Sequence, residues 1–311
     1  MTQPPDDLCM LVSVYHPYRW TAFFTRELID TFWPDHPPLH FCGLTSEEAG
    51  TLPHIPTRQP ELPRAWGSFV LDACQELKSR GFTKCYFLLE DHPPLAPCHG
   101  EHLNQTLPAL LDEIPASYIG LMGWDNRRFV TRAPITGPHR FMHLTPPRAP
   151  RFHLHPSLFR LDALIACLEL LVQQENPTPV RFEKVCEKPA ARLPEEFKAS
   201  CYQICGEELA LHPPGPAGRL GAWGERFFYH RMMNLYAPLE RLGLGMRFWD
   251  ALGFDDYFYN GPYPMFYSGI MSRGRVNPYF LKYLETKRAG DPAFGKLIDD
   301  CRKYGQPRNQ A

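Results

Sequence analysis

The chain contains no CxxC pair, no GxGxxG after its first strand and no GxxxxGK[ST]. These absences argue against a cysteine metal framework, a Rossmann dinucleotide fingerprint and a P-loop. No run approaches the roughly 18 apolar residues a membrane span requires. The opening MTQPPDDLCM has neither a basic region nor a long apolar segment, so it does not read as a secretory signal. A formal net charge of -1 offers no broad electrostatic grip on nucleic acid or anionic lipid. Internal repeats are also absent.

Proline is what the chain has in excess: 34 in 311 residues, about twice the average usage of roughly 5%. The prolines cluster near 34–63, 93–97, 134–150, 177–194 and 213–216, marking long loops between compact elements. Of the ten cysteines, only Cys201 and Cys205 are close enough to form a local pair. Cys9 and Cys85 fall in apolar runs, where a thiol behaves as a small hydrophobe. A reduced, cytoplasmic setting is the natural expectation. Cys98-His99 with His102 lacks a fourth ligand at zinc spacing, and His153-x-His155 would put two imidazoles on one strand face. Neither makes a metal site.

Hydrophobic patterning predicts alternating strands and helices. Strands are expected at Leu8–Tyr15, Leu39–Leu44, Lys84–Leu89, Tyr118–Met122 and Phe152–His155. Helices are expected at Trp20–Phe32 (apolar at Phe23, Phe24, Leu28, Ile29 and Phe32), Trp66–Arg80, His102–Ile114 and Leu158–Val172. Gly81 is placed to end the second of these. Further helices are plausible at 194–204 and 224–241. This order predicts an α/β fold, a mainly parallel sheet flanked by helices with a helical, aromatic C-terminal extension. The expected domains are a core over 1–190 and an extension over 191–311 packing on it.

The most informative stretch is the apolar run ending in Glu90-Asp91-His92 and cut off by Pro93-Pro94. Parallel sheets place their chemistry just beyond the carboxyl ends of such strands, where a metal, a phosphate or a sugar hydroxyl is held.

Several motifs, in order, resemble a bacterial glycosyltransferase-like family with the nucleotide-sugar-binding GT-A fold. They are VSVYHPYRW, then FFTRELIDTFWPDHPPLHFCGLTSE with its Trp33-Pro34-Asp35 break. Trp66-Gly67-Ser68 opens the helix leading to YFLLEDHPPL. HPSLFRLDALIACLELL and NPTPVRFEKV follow, and YPMFYSGIMSRGRVNP is similar to the family's closing tail. The resemblance covers roughly residues 8–190, and 225–280 more loosely. Two departures stand out: Glu90-Asp91-His92 replaces the usual Asp-x-Asp, and Val180 replaces an aromatic residue.

The resemblance implies transfer of a sugar from a nucleotide-sugar donor to a saccharide or glycolipid acceptor, in surface polysaccharide or lipopolysaccharide assembly. It implies Asp91 as ligand of a divalent cation, Mn2+ or Mg2+, whose hard oxygen chemistry suits a diphosphate. Glu90 would bond ribose or sugar, and Glu183 would act as general base on the acceptor hydroxyl. Ser13, Val14 and Tyr15 would meet the nucleobase, Arg64 and Trp66 the ribose or phosphate, and Arg273 and Arg275 the diphosphate. No nucleic acid and no transmembrane segment enter this picture, which leaves room for peripheral membrane contact. The rival is a catalytically inactive carbohydrate- or nucleotide-binding protein on the same fold. A hydrolase using Glu90 and Asp91 as a pair is a third reading, made awkward because adjacent strand residues face opposite ways.

Overall fold

A computed structural model describes residues 3–58, 65–113, 117–121, 130–133, 140–144, 152, 154–186, 201–205, 239, 242, 244, 258–259, 262–266, 269–272 and 275–305. The chain divides into two compact units, the first Met1–Gly206 with Gly261–Pro264, the second Glu207–Asn260 with Met265–Ala311.

The first unit is built on β1 (Leu8–Ser13), β2 (Leu39–Cys42), β3 (Lys84–Leu89), β4 (Tyr118–Gly120), β5 (Val130–Ala133), β6 (Arg140–Leu144), β7 (Ser157–Arg160) and β8 (Cys201–Cys205). They form one sheet in the order β2-β1-β3-β7-β4-β8-β6-β5. Its helices are α1 (Trp20–Phe32), α2 (Ser46–Ala49), α3 (Trp66–Ser79), α4 (Leu107–Glu113), α5 (Leu161–Val172) and α6 (Pro179–Cys186). The fold is α/β, as the patterning predicts.

Every residue of β1 is buried, which is why its sequence, LCMLVS, lacks alternation: both faces are covered by helices. On one face Cys9, Leu11, Cys85, Phe87 and Phe159 pack with Trp66, Val70, Cys74 and Leu77 of α3 and with Leu164, Leu168 and Leu171 of α5. On the other, Trp33 at the end of α1 meets Tyr86 edge-on at 5.3 Å. In α1 the buried stripe runs through Thr21, Phe24, Thr25, Leu28 and Ile29, so Phe23, expected inside, is 37% exposed. The buried threonine explains the phase: Thr25 Oγ1 donates to the carbonyl of Glu90. Gly81 has φ +95° and ends α3 as expected, with Phe82 N–H returning to Leu77 O.

Parallel pairing joins β1 to β2, β1 to β3, and β4 to β8. The sheet is nevertheless mixed: β7 lies antiparallel between β3 and β4, and β6 antiparallel between β8 and β5. The strand expected at Phe152–His155 is therefore displaced to follow Pro156, and α5 begins at Leu161 rather than Leu158. Leu158 and Phe159 are both fully buried, and a short apolar run of this kind suits a buried strand as well as a helix. The helix expected at 194–204 is likewise replaced in part by β8, which pairs with β4 and β6. The helix expected from His102 starts as a π-helical stretch over His102–Thr106; Pro108, lacking an N–H, sits at its junction with α4.

At the amino end of β3 the buried Lys84 pairs with Asp7 at 3.0 Å and Asp112 at 2.9 Å. It thereby ties the N-terminal segment, β3 and α4 together.

The second unit contains β9 (Phe258–Tyr259), β10 (Met265–Phe266), β11 (Met271–Ser272), β12 (Arg275–Val276), α7 (Pro278–Lys287) and α8 (Pro292–Gly305). Strands β9 with β10 and β11 with β12 form two antiparallel pairs. Its core gathers Phe266, Phe280, Leu284, Phe294, Leu297 and Cys301, all buried. The Phe266 ring lies 5.6 Å from that of Phe280. Among the described residues no helix is long and apolar enough to cross a membrane.

Candidate functional site

The register of the first three strands aligns Ser13 with Cys42 on one side and with Leu89 on the other. Their carboxyl ends therefore finish on the same rung, and the chain leaves each into a loop at one edge of the sheet. Gly43 is required there. Its φ is +91°, and a Cβ would lie 2.2 Å from Val14 O. That close approach lets Val14 N–H bond Cys42 O at 2.8 Å, while Gly43 N–H bonds Thr57 Oγ1 at 2.8 Å.

Most of the predicted site residues are drawn together at this edge, but several are interior. Ser13 and Val14 are fully buried, Trp66 is 1% exposed and Glu90 2%. Trp66 Nε1–H donates to Ser13 Oγ at 2.8 Å, and the indole packs edge-on against Phe87 and Phe182. Glu90 N–H donates to Ser13 O. The Glu90 carboxyl accepts the backbone N–H of Tyr15 and its own, yet burial and the neighbouring Asp91 charge push its pKa well above the ordinary carboxylate range. Burial likewise raises the Cys42 thiol, with Glu90 adding to the effect.

Tyr15 and Asp91 keep partial exposure. The Tyr15 ring stands edge-on to Tyr18 at 5.1 Å. The side chain of Asp91 is 13% exposed, and its Oδ1 lies 2.8 Å from His92 Nδ1. Glu183 belongs to α6, seated at this edge by the contact of Phe182 with Trp66; the side chain of Glu183 lies outside the described residues. Arg64 and Arg273 lie outside them as well. Arg275, on β12 of the second unit, is exposed.

Two pairings at this edge escape a reading of the sequence. His16 Nε2 bonds Glu48 Oε1 at 2.8 Å, joining the segment after β1 to α2. Glu48 also completes a capping box with Thr45 on α2. Burial works against the Glu48 carboxylate, but Thr45 and His16 outweigh it and hold its pKa below the usual range. The second is that of His155, brought by β7 to the end of β3, where its ring meets His92 at 5.2 Å. A Thr-x-x-Glu cap at Thr45–Glu48 is legible from sequence; neither histidine's partner is.

Among the described residues no group of three or more His, Cys, Asp or Glu side chains is arranged to hold a metal ion. Of the Glu90-Asp91 pair at the end of β3, Asp91 is the member that keeps partial exposure.

No protein-family model matches the chain, and no curated protein matches it. Solved structures include two distant likenesses. One is a mannose-1-phosphate geranyltransferase from Thermus thermophilus, at 11% identity and TM-score 0.34, covering 64% of this chain and 73% of that one. The other is a glycosyltransferase involved in the glycosylation of the major capsid of PBCV-1, at 14% identity and TM-score 0.31, covering 64% of this chain and 93% of that one.

Proposed function

We propose that this chain is a glycosyltransferase of GT-A type, moving a sugar from a nucleotide-sugar donor to a hydroxyl of a saccharide or lipid-linked acceptor. The observation that supports it is the shared edge: parallel strands end there together, and Tyr15 and Asp91 remain accessible above a frame whose other polar groups are already bonded. Ser13, Val14, Trp66 and Glu90 form that frame rather than touching substrate, since each is buried and its hydrogen-bonding groups are largely spent inside the protein.

In this reading Tyr15 packs against the nucleobase and Asp91 meets the ribose hydroxyls or the donor's cation. Glu183 takes the proton of the acceptor hydroxyl. The acceptor oxygen forms its bond to the anomeric carbon as the bond to the diphosphate oxygen breaks, and that electron pair leaves on the nucleoside diphosphate. Direct deprotonation of the acceptor by Glu183 gives inversion at that carbon. Asp91 is the residue that would hold Mn2+ or Mg2+ carried on the diphosphate, which would supply charge neutralisation there.

The test is a thermal-shift screen of UDP, GDP, CMP and dTDP nucleotides, each with and without Mn2+. Stabilisation by one nucleotide, enhanced by Mn2+ and lost in Asp91→Ala, is the expected result. Loss of sugar transfer in Glu183→Gln with nucleotide binding retained would assign the base. Absence of any shift overturns the reading. The burial of Glu90, which leaves Asp91 as the accessible member of the Glu90-Asp91 pair, favours a second reading: nucleotide or carbohydrate binding without transfer. The hydrolase alternative gains no support, because Glu90 bonds Tyr15 in the interior while Asp91 bonds His92.

A further inference from the structure

We propose that His92 is a positioning residue for Asp91, and that the antiparallel insertion of β7 serves the site by bringing His155 against it. The inference rests on the transferase reading for what Asp91 touches, but the positioning itself is a property of this chain.

His92 is held at both ends of its backbone. Its N–H donates to Leu89 O at 3.2 Å, and its carbonyl accepts the hydroxyl of the buried Tyr263 at 3.0 Å. The side chain is 9% exposed, and the ring of His155 stands across it at an interplanar angle of 84°. With its ring buried against His155, the imidazole places Nδ1 2.8 Å from Asp91 Oδ1. Ionised aspartate only accepts, so the bond calls for the Nδ1–H tautomer.

Tying one carboxylate oxygen removes rotamer freedom that Asp91 would otherwise lose on binding, and it fixes where the remaining acceptor capacity points. The ligand chemistry is that of hard oxygen recognition, either vicinal ribose hydroxyls or a cation carried on the diphosphate. The sequence hides the arrangement because Glu90-Asp91-His92 reads as a broken acidic motif. In the fold its members separate by role: Glu90 inward to Tyr15, Asp91 at the edge, and His92 behind Asp91.

The experiment combines two readouts. Histidine 15N NMR of the full chain should show His92 as the Nδ1–H tautomer, and Asp91→Ala, which removes the acceptor, should abolish that preference. In nucleotide titrations, His92→Phe keeps the ring volume without a donor and should weaken binding about tenfold, the loss typical of removing a group that orients a ligating side chain. His92→Asn places an amide donor near Nδ1 and should restore most of the affinity, both with Mn2+ and without it if Asp91 meets ribose, or with Mn2+ alone if it meets a cation. His155→Ala, which leaves both partners present, should give a smaller loss and covers the case in which His92→Phe does not fold. Wild-type affinity in folded His92→Phe, with binding lost in Asp91→Ala, overturns the proposal. If no nucleotide binds the wild-type chain, the transferase reading fails and the tautomer decides alone: an Nδ1–H preference lost in Asp91→Ala sustains the positioning, and an unchanged tautomer ends it.

Discussion

At the scale of single residues, the edge is governed by which polar groups are spent on the protein. Glu90 sits at a strand end like a ligand, yet it is buried, and its folded-state pKa is raised by desolvation and the Asp91 charge. A carboxyl whose pKa rises on folding contributes stability in full below its unfolded pKa and loses it as pH climbs toward the folded value. Glu90→Gln is therefore expected to flatten the decline in stability above about pH 4–5, measured by urea denaturation across pH. An unchanged pH profile would mean that Glu90 is not desolvated. Asp7 works with the opposite sign. Burial opposes its charge, but Thr83 and Lys84 outweigh this and lower its pKa, so its contribution is present above the unfolded pKa and disappears as pH falls through the folded one. Replacing Lys84 by Met should cost about 1–2 kcal/mol, below the full cost of a broken buried pair because Asp7 and Asp112 are part-exposed, and should narrow stability on the acid side.

At the scale of elements, the strand-end loops depend on backbone fit more than on side chains. Gly43→Ala places a Cβ against Val14 O in a left-handed conformation and should destabilise by about 3 kcal/mol; a denaturation midpoint within error of wild type would show that the loop relaxes freely. Elements buried on both faces, such as β1 and β3, and helices with a clear apolar stripe, such as α1 and α3, were legible in the sequence because burial alone determines their composition. The acidic end of β3 was legible for the same reason, as an abrupt stop to an apolar run. Strand β7 was not: Leu158–Leu161 is largely apolar, and only its partners β3 and β4 make the first part a strand. The pairing of His16 with Glu48, 32 residues apart, and that of His92 with His155 depend on tertiary placement and leave no local signal. Nor does Ser13 announce that its hydroxyl is taken by Trp66.

At the scale of the whole molecule, each compact unit has its own core. Phe280, fully buried and packed on Phe266, should on replacement by Ala lower the second unit's stability by about 3–5 kcal/mol. Calorimetry is expected to show an early transition separating from that of the first unit, whereas a single transition moving as a whole would mean the two unfold together. The order of the main sheet also bears on how the chain is made. Strand β3 finds its second neighbour in β7, not in β4, which comes earlier in the sequence. As the polypeptide emerges from the ribosome, one side of β3 thus waits for roughly seventy more residues, several seconds at about 5–20 residues per second. During that interval Cys85, Tyr86 and Phe87 present an open apolar strand edge, the kind of surface that invites wrong partners. The nascent chain is most vulnerable there, and a holding chaperone would have most to protect between the synthesis of Leu89 and that of Arg160.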